Sequence, residues 1–130
     1  MQYSIKEVSE KTNLSAYTIR YYEQEGLLPN LERDAHGNRI FKESDVEWLL
    51  FIRCLRDTGM SITNMKRYVE LNNLGDATIE DRREILLNHK KYIEAKIEEL
   101  NNYLQKINHK IEWYNNTVAK NRKIETTKQK

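Results

Sequence analysis

The stretch SIKEVSEKTNLSAYTIRYYEQEG, residues 4–26, decides the fold. Ser4 is an N-cap candidate, and Glu7 three positions later completes a capping box. Ile5 and Val8 then share one face of a short helix. The pattern breaks at Asn13-Leu14, and Ser15 offers a second N-cap. A second helix runs through AYTIRYYEQE and stops at Gly26, a residue suited to the position after a helix. Two capped helices with so short a join predict a helix-turn-helix. In that motif the N-terminal part of the second helix enters the major groove of DNA.

The second helix carries chemistry fit for that role. Ile19 is its main inward residue. Ala16 and Tyr17 stand at its exposed start, and Thr18, Tyr21 and in part Tyr22 fall on other faces. Arg20 can pair with a phosphate, and tyrosines can donate to phosphate or stack on sugars and base edges. The competing reading is an ordinary amphipathic helix with half-buried tyrosines, because helix-turn-helix spacing is not specific by itself.

Beyond Gly26, Pro29 forbids further helix. DAHGN, residues 34–38, is a turn signal between LERD and NRIF, which predicts a small β-hairpin. Such a wing places Arg39 towards the phosphate backbone, with Phe41 packing it down. A further helix follows, with Ser44 and Glu47 as its expected capping box. Val46, Leu49, Leu50, Ile52 and Leu55 require burial on more than one side. Gly59 ends this helix. Ser61 caps the next, with Ile62, Met65 and Tyr68 or Val69 inward.

Thr78 is the expected start of the last helix. There the period changes: Leu86, Ile93, Ile97, Leu100, Leu104, Ile107, Ile111, Tyr114 and Val118 are spaced by seven, then alternately by four and three. This is a heptad seam without Gly or Pro, interrupted only by a polar step at Lys90. At ~1.5 Å per residue such a helix reaches roughly 60 Å. Its stripe needs a partner helix, and self-association supplies one. The predicted organisation is a mainly α chain. A winged helix-turn-helix with its helix pair covers residues 1–75, a dimerisation helix covers 76–120, and a basic flexible tail covers 121–130.

Composition narrows the class. The chain has 130 residues, a net charge of +2, one proline and four glycines. Residues 1–75 contain ten Lys/Arg against eleven Asp/Glu, so any positive footprint is local: Arg20, Arg39, Lys42 and, at its edge, Lys66 and Arg67. That argues against a non-specific DNA coater. No run of ~18 apolar residues is present, and MQYSIKEVSE lacks the apolar core of a signal peptide. The lone Cys54 cannot form an internal disulfide. Together these predict a cytoplasmic protein without a membrane partner. No nucleophile set, phosphate loop or metal cluster supports an enzyme. A coiled-coil adaptor with a helical head is the third class, separable by its indifference to promoter DNA.

RYYE followed by GLL-P, then GNRIF, then DTGMSI, with a long heptad helix behind, resembles the MerR family of bacterial transcription regulators over the whole chain. The resemblance implies a homodimer with an antiparallel coiled coil that binds double-stranded promoter DNA whose −35 and −10 elements are too far apart. The activated dimer bends and underwinds that DNA, and so acts on RNA polymerase through the promoter. Ser15, Tyr17, Thr18, Arg20, Tyr21 and Tyr22 match the recognition helix, and Arg39 and Phe41 match the wing.

The same resemblance narrows the effector. Metal sensors of this family carry cysteines around the dimer helix, absent here. His36, His89 and His109 are scattered, an iron-sulfur cluster lacks ligands, and the chain ends where multidrug sensors add a ligand domain, so no cofactor is expected. FIRCLRDTGMSI resembles the single-cysteine branch that responds to aldehydes, other electrophiles or thiol stress. Cys54 is then the candidate sensor, with Arg53 and Arg56 placed to favour its thiolate. The alternatives are a buried structural cysteine with a non-covalent effector, or no effector.

Overall fold

The structure, a computed structural model, describes residues 1–128, with side chains described to residue 125. The elements run β1 (Gln2–Tyr3), α1 (Ile5–Thr12), α2 (Ala16–Gln24), β2 (Glu32–Arg33), β3 (Arg39–Lys42), α3 (Glu43–Asp57), α4 (Ile62–Asn73), a 3₁₀ turn (Asp76–Thr78) and α5 (Ile79–Lys128). The chain divides into two compact units, Met1–His89 and Lys90–Lys130.

Around α1 and α2 the capping signals act as expected. The Ser4 hydroxyl accepts from the Glu7 N–H, and the Glu7 carboxylate accepts from the Ser4 N–H, both at 3.2 Å. Asn13 closes α1 in the left-handed region at φ 55°, which a short polar side chain tolerates. Ser15 then caps α2 by accepting from the Thr18 N–H. After α2, Gly26 takes φ +77°, so the chain reverses there without a Cβ clash.

A three-stranded antiparallel sheet of order β1-β3-β2 flanks these helices. The hairpin pairs Glu32 with Ile40 and Arg33 with Arg39, as the turn signal predicts. β1 is an addition: Gln2 pairs with Lys42 and Tyr3 with Phe41. Two residues are too few to show a period of two, so no sequence signal marks this strand.

β3 runs straight into α3, which moves the expected cap. The helix starts at Glu43, and the Asp45 carboxylate, not Ser44, does the capping by accepting from the Lys42 N–H at 2.9 Å. Val8, Ile19, Leu27, Phe41, Leu49 and Ile52 form a fully buried core, with Met65 and Val69 of α4 joining it. Two bonds between residues far apart in sequence tie α3 to the segments around it. Trp48 Nε1 donates to the Leu27 carbonyl at 2.7 Å, and Arg53 Nη1 donates to the Thr12 carbonyl at 2.6 Å.

Thr78 does not cap α5. It closes the 3₁₀ turn, and its hydroxyl donates to the Gly75 carbonyl while accepting from Arg82 Nε. Arg82 also reaches Asn72 and the Gly75 carbonyl, which fixes the start of α5 against the end of α4. Leu86 packs with Ile85 against the core of this unit. It is only half-buried there. The unit ends at His89, immediately before the polar step at Lys90 and not at residue 75.

The second unit is the remainder of α5. The helix continues to Lys128, so the segment from 121 is not a separate tail. Lys, Arg and Glu are good helix formers, and neither Gly nor Pro interrupts them. The last two residues of the expected tail lie outside the described residues. Ile97, Leu100, Leu104, Ile107, Ile111, Tyr114 and Val118 are 45–63% exposed, and Ile93 is half-buried.

Candidate nucleic-acid interface

The recognition helix α2 sorts its side chains by the helical period. Ile19 is buried, and Tyr22, three residues on, is only 2% exposed. Tyr22 is therefore a core residue and cannot meet a duplex. Its hydroxyl has no hydrogen-bond partner; the Arg56 guanidinium is close enough to feel it but short of bonding geometry. Phe41 is likewise fully buried and supports the wing from beneath. Both corrections follow from periodicity: Tyr22 shares a face with Ile19, and Phe41 points to the opposite side of β3 from its neighbours.

The rest of α2 faces outward. Tyr17 is 78% and Tyr21 40% exposed. Arg20 is exposed, Ser15 lies at the helix start, and Thr18 is half-buried with its hydroxyl 2.8 Å from that of Ser15. Arg20 and Arg39 line a cleft of about 530 Å³ between α2 and the wing, together with Asp34, Gly37 and Asn38. Tyr3, Ile5 and Ile40 also line it, so the cleft is mixed in polarity and its two arginines are the groups that suit a phosphate backbone.

The wing turn is held by one carboxylate. Asp34 Oδ1 accepts from the His36 and Asn38 N–H groups, each at 2.9 Å. These bonds, that from Asn38 foremost, favour the ionised form and lower the Asp34 pKa below its ordinary value.

The cations of the expected footprint are mostly engaged. Arg39 Nε donates to Glu23 Oε1 at 2.7 Å, and Arg33 Nη2 reaches the same oxygen at 3.5 Å. Lys42 pairs with Glu32 at 2.8 Å and Lys66 with Glu25 at 2.5 Å. The paired carboxylate raises the pKa of each lysine. Arg39 is thus not the free cation that the sequence pattern implies. Glu23 escapes sequence reading because its partner lies 16 residues away.

These outward groups sit on a winged helix-turn-helix. The MerR HTH family regulatory protein family matches residues 3–71, and the MerR DNA-binding family matches residues 46–110. The chain belongs to the MerR family. As a MerR-type regulator it is a DNA-binding transcription factor and not an enzyme. An uncharacterized HTH-type transcriptional regulator of Haemophilus influenzae is 42% identical over 119 residues, covering 92% of this chain and 88% of that protein. A crystal structure of HiNmlR, a MerR family regulator lacking the sensor domain, bound to promoter DNA, superposes with TM-score 0.84 at 42% identity, covering 92% of this chain and 94% of that one. A crystal structure from Listeria monocytogenes described as a MerR family transcriptional regulator gives TM-score 0.82 at 38% identity, covering 87% and 86%.

Away from the reading face of this MerR-type head, Cys54 lies exposed on α3. It stands outside the core of the single chain. Arg53 and Arg56 both bind Asp57, at 3.2 and 2.9 Å, so their charge is shared with that carboxylate. The Thr58 hydroxyl, on the next turn, contacts the Cys54 carbonyl and His89 Nε2, both at 2.7 Å. His36 sits in the wing turn and His109 on the surface of α5. Among the described residues no group of His, Cys, Asp or Glu is placed to hold a metal, and no helix is long and apolar enough to cross a membrane.

Proposed function

We propose that this MerR-type regulator binds double-stranded promoter DNA as a homodimer and distorts an over-long spacer, acting on RNA polymerase through the promoter. The observation that carries the reading is the exposed seam from Ile97 to Val118 on α5, behind a head whose reading face is also exposed. An apolar stripe of that regularity requires a partner, and a second α5 fits it at a/d spacing. The HiNmlR structure, similar to this chain, was obtained on promoter DNA. Two heads held at a fixed spacing can strain a duplex where one cannot, and the contacts made on the bent form offset the deformation.

Electrophile sensing at Cys54 is the input we propose. The exposed sulfur can add to an aldehyde carbon; the C–S bond forms, the carbonyl π bond breaks, and the oxygen takes a proton. The adduct sits one turn from Thr58, whose hydroxyl links this end of α3 to His89 of α5. Bulk added there biases the junction between the reading head and the dimerisation helix.

The test is a footprint on the region upstream of the regulator's own reading frame, with sizing of the free protein. A short protected inverted repeat and a dimer are expected. A lone 15.6 kDa particle that ignores the duplex contradicts the proposal.

A further inference from the structure

We propose that Glu23 is a positioning residue of the DNA interface. It aims Arg39 and reduces the attraction of the head for arbitrary DNA. The inference rests on the reading that the wing meets phosphate.

Arg33 and Arg39 are direct partners across the hairpin. Like charges in that register repel. Glu23, from the last turn of α2, brings one oxygen to both: 2.7 Å from Arg39 Nε and 3.5 Å from Arg33 Nη2. The bond uses the Nε edge of Arg39. It leaves the terminal nitrogens of the fork outside that bond, on a side chain that lines the same cleft as Arg20. A guanidinium held by one edge presents the other in a fixed plane, which matches the bidentate demand of a phosphate. Arg33 is held a second time, by the Gly37 carbonyl at 3.0 Å. Glu23 therefore ties the recognition helix to both wing strands.

The same carboxylate subtracts charge at the point of contact. Sequence-independent affinity scales with the phosphates neutralised. A head whose wing cations are already paired holds arbitrary DNA weakly. It gains its full contacts only on a duplex shaped to let Arg39 keep Glu23 and reach phosphate together. This accounts for a nearly neutral head in a DNA-binding protein.

The experiment measures anisotropy of the full-length protein on a duplex of its own upstream region and on a scrambled duplex of equal length. Glu23→Ala is expected to lower the promoter-to-scrambled affinity ratio about tenfold, mostly through tighter scrambled binding. Glu23→Gln removes the same charge but keeps an acceptor for Arg39 Nε, so about threefold is expected. In an Arg39→Ala background, Glu23→Ala should change the ratio less than about twofold, because the two residues act as one unit. Melting curves should move little, since both members of the pair keep contact with solvent. Equal ratios for wild type and Glu23→Ala overturn the proposal, as does full additivity with Arg39→Ala. A wild-type protein that cannot tell the two duplexes apart sinks the reading of the interface itself, a result distinct from either.

Discussion

Tyr21 and Tyr22 are sequence neighbours with opposite burial, and substituting each by alanine tests whether their roles differ too. Tyr22 is 2% exposed in a core shared with Ile19 and Leu27. Truncating a buried aromatic costs about 3–5 kcal/mol through lost burial and the cavity left behind. Against a native stability of about 5–15 kcal/mol this is severe. For a unit the size of Met1–His89, it lowers the melting temperature by at least roughly 12 °C. Tyr22→Phe, which removes only the unpartnered hydroxyl, should be neutral or slightly stabilising. Tyr21, 40% exposed, loses a tilted ring contact with Tyr22 at 6.1 Å, which costs no more than about 1.5 kcal/mol. Its effect belongs in binding: about tenfold weaker affinity for the promoter duplex. Circular-dichroism melts and anisotropy titrations on the same preparations read both quantities. A Tyr22→Ala protein with unchanged melting but lost DNA binding would refute the face assignment, and so would a Tyr21→Ala protein that unfolds.

Three other predictions test separate parts of the molecule. Leu100→Lys with Ile107→Lys places two charges on the α5 stripe, so sedimentation should report monomers and promoter binding should vanish; a persistent dimer means another surface pairs the chains. Cys54→Ser should leave promoter affinity within about twofold yet abolish induction by aldehydes or diamide in cells, and retained induction would make the cysteine a bystander. Because the Asp34 pKa is lowered in the folded chain, its contribution to the wing turn is present above the ordinary carboxylate range. It is lost as pH falls through the depressed value. The His36 and Asn38 amides should therefore keep slow hydrogen exchange at neutral pH and lose protection only in strong acid, and Asp34→Asn should remove that acid transition.

Much of this was legible in the chain because the deciding signals are local. Ser4 with Glu7, Ser15 and Gly26 mark helix ends by chemistry that acts within four residues. The heptad spacing from Ile93 onward survives in the structure as an exposed line. Signals that depend on distant partners were silent. Glu23 gains its partner from Arg39, β1 exists because β3 offers an unpaired edge, and Leu86 also packs against the core of the first unit. Tyr22 was readable but misplaced: its spacing of three from Ile19 puts it inward, whereas the aromatic pair RYY invites a surface role. The continuation of α5 to Lys128 was likewise written in its composition. The opposing signal is that polar residues at a chain end so often fray.

β3 lies between β1 and β2, so the first residues of the chain share a hydrogen-bonded ladder with the strand that carries Arg39. Tyr3 is anchored further by its hydroxyl on Glu43 at 2.7 Å. The hairpin and Gln2–Tyr3 are thereby parts of one ladder. A small fluorophore attached ahead of Met1 will serve as a reporter of wing engagement, and a bulky affinity handle on that side will hinder the grip on the duplex.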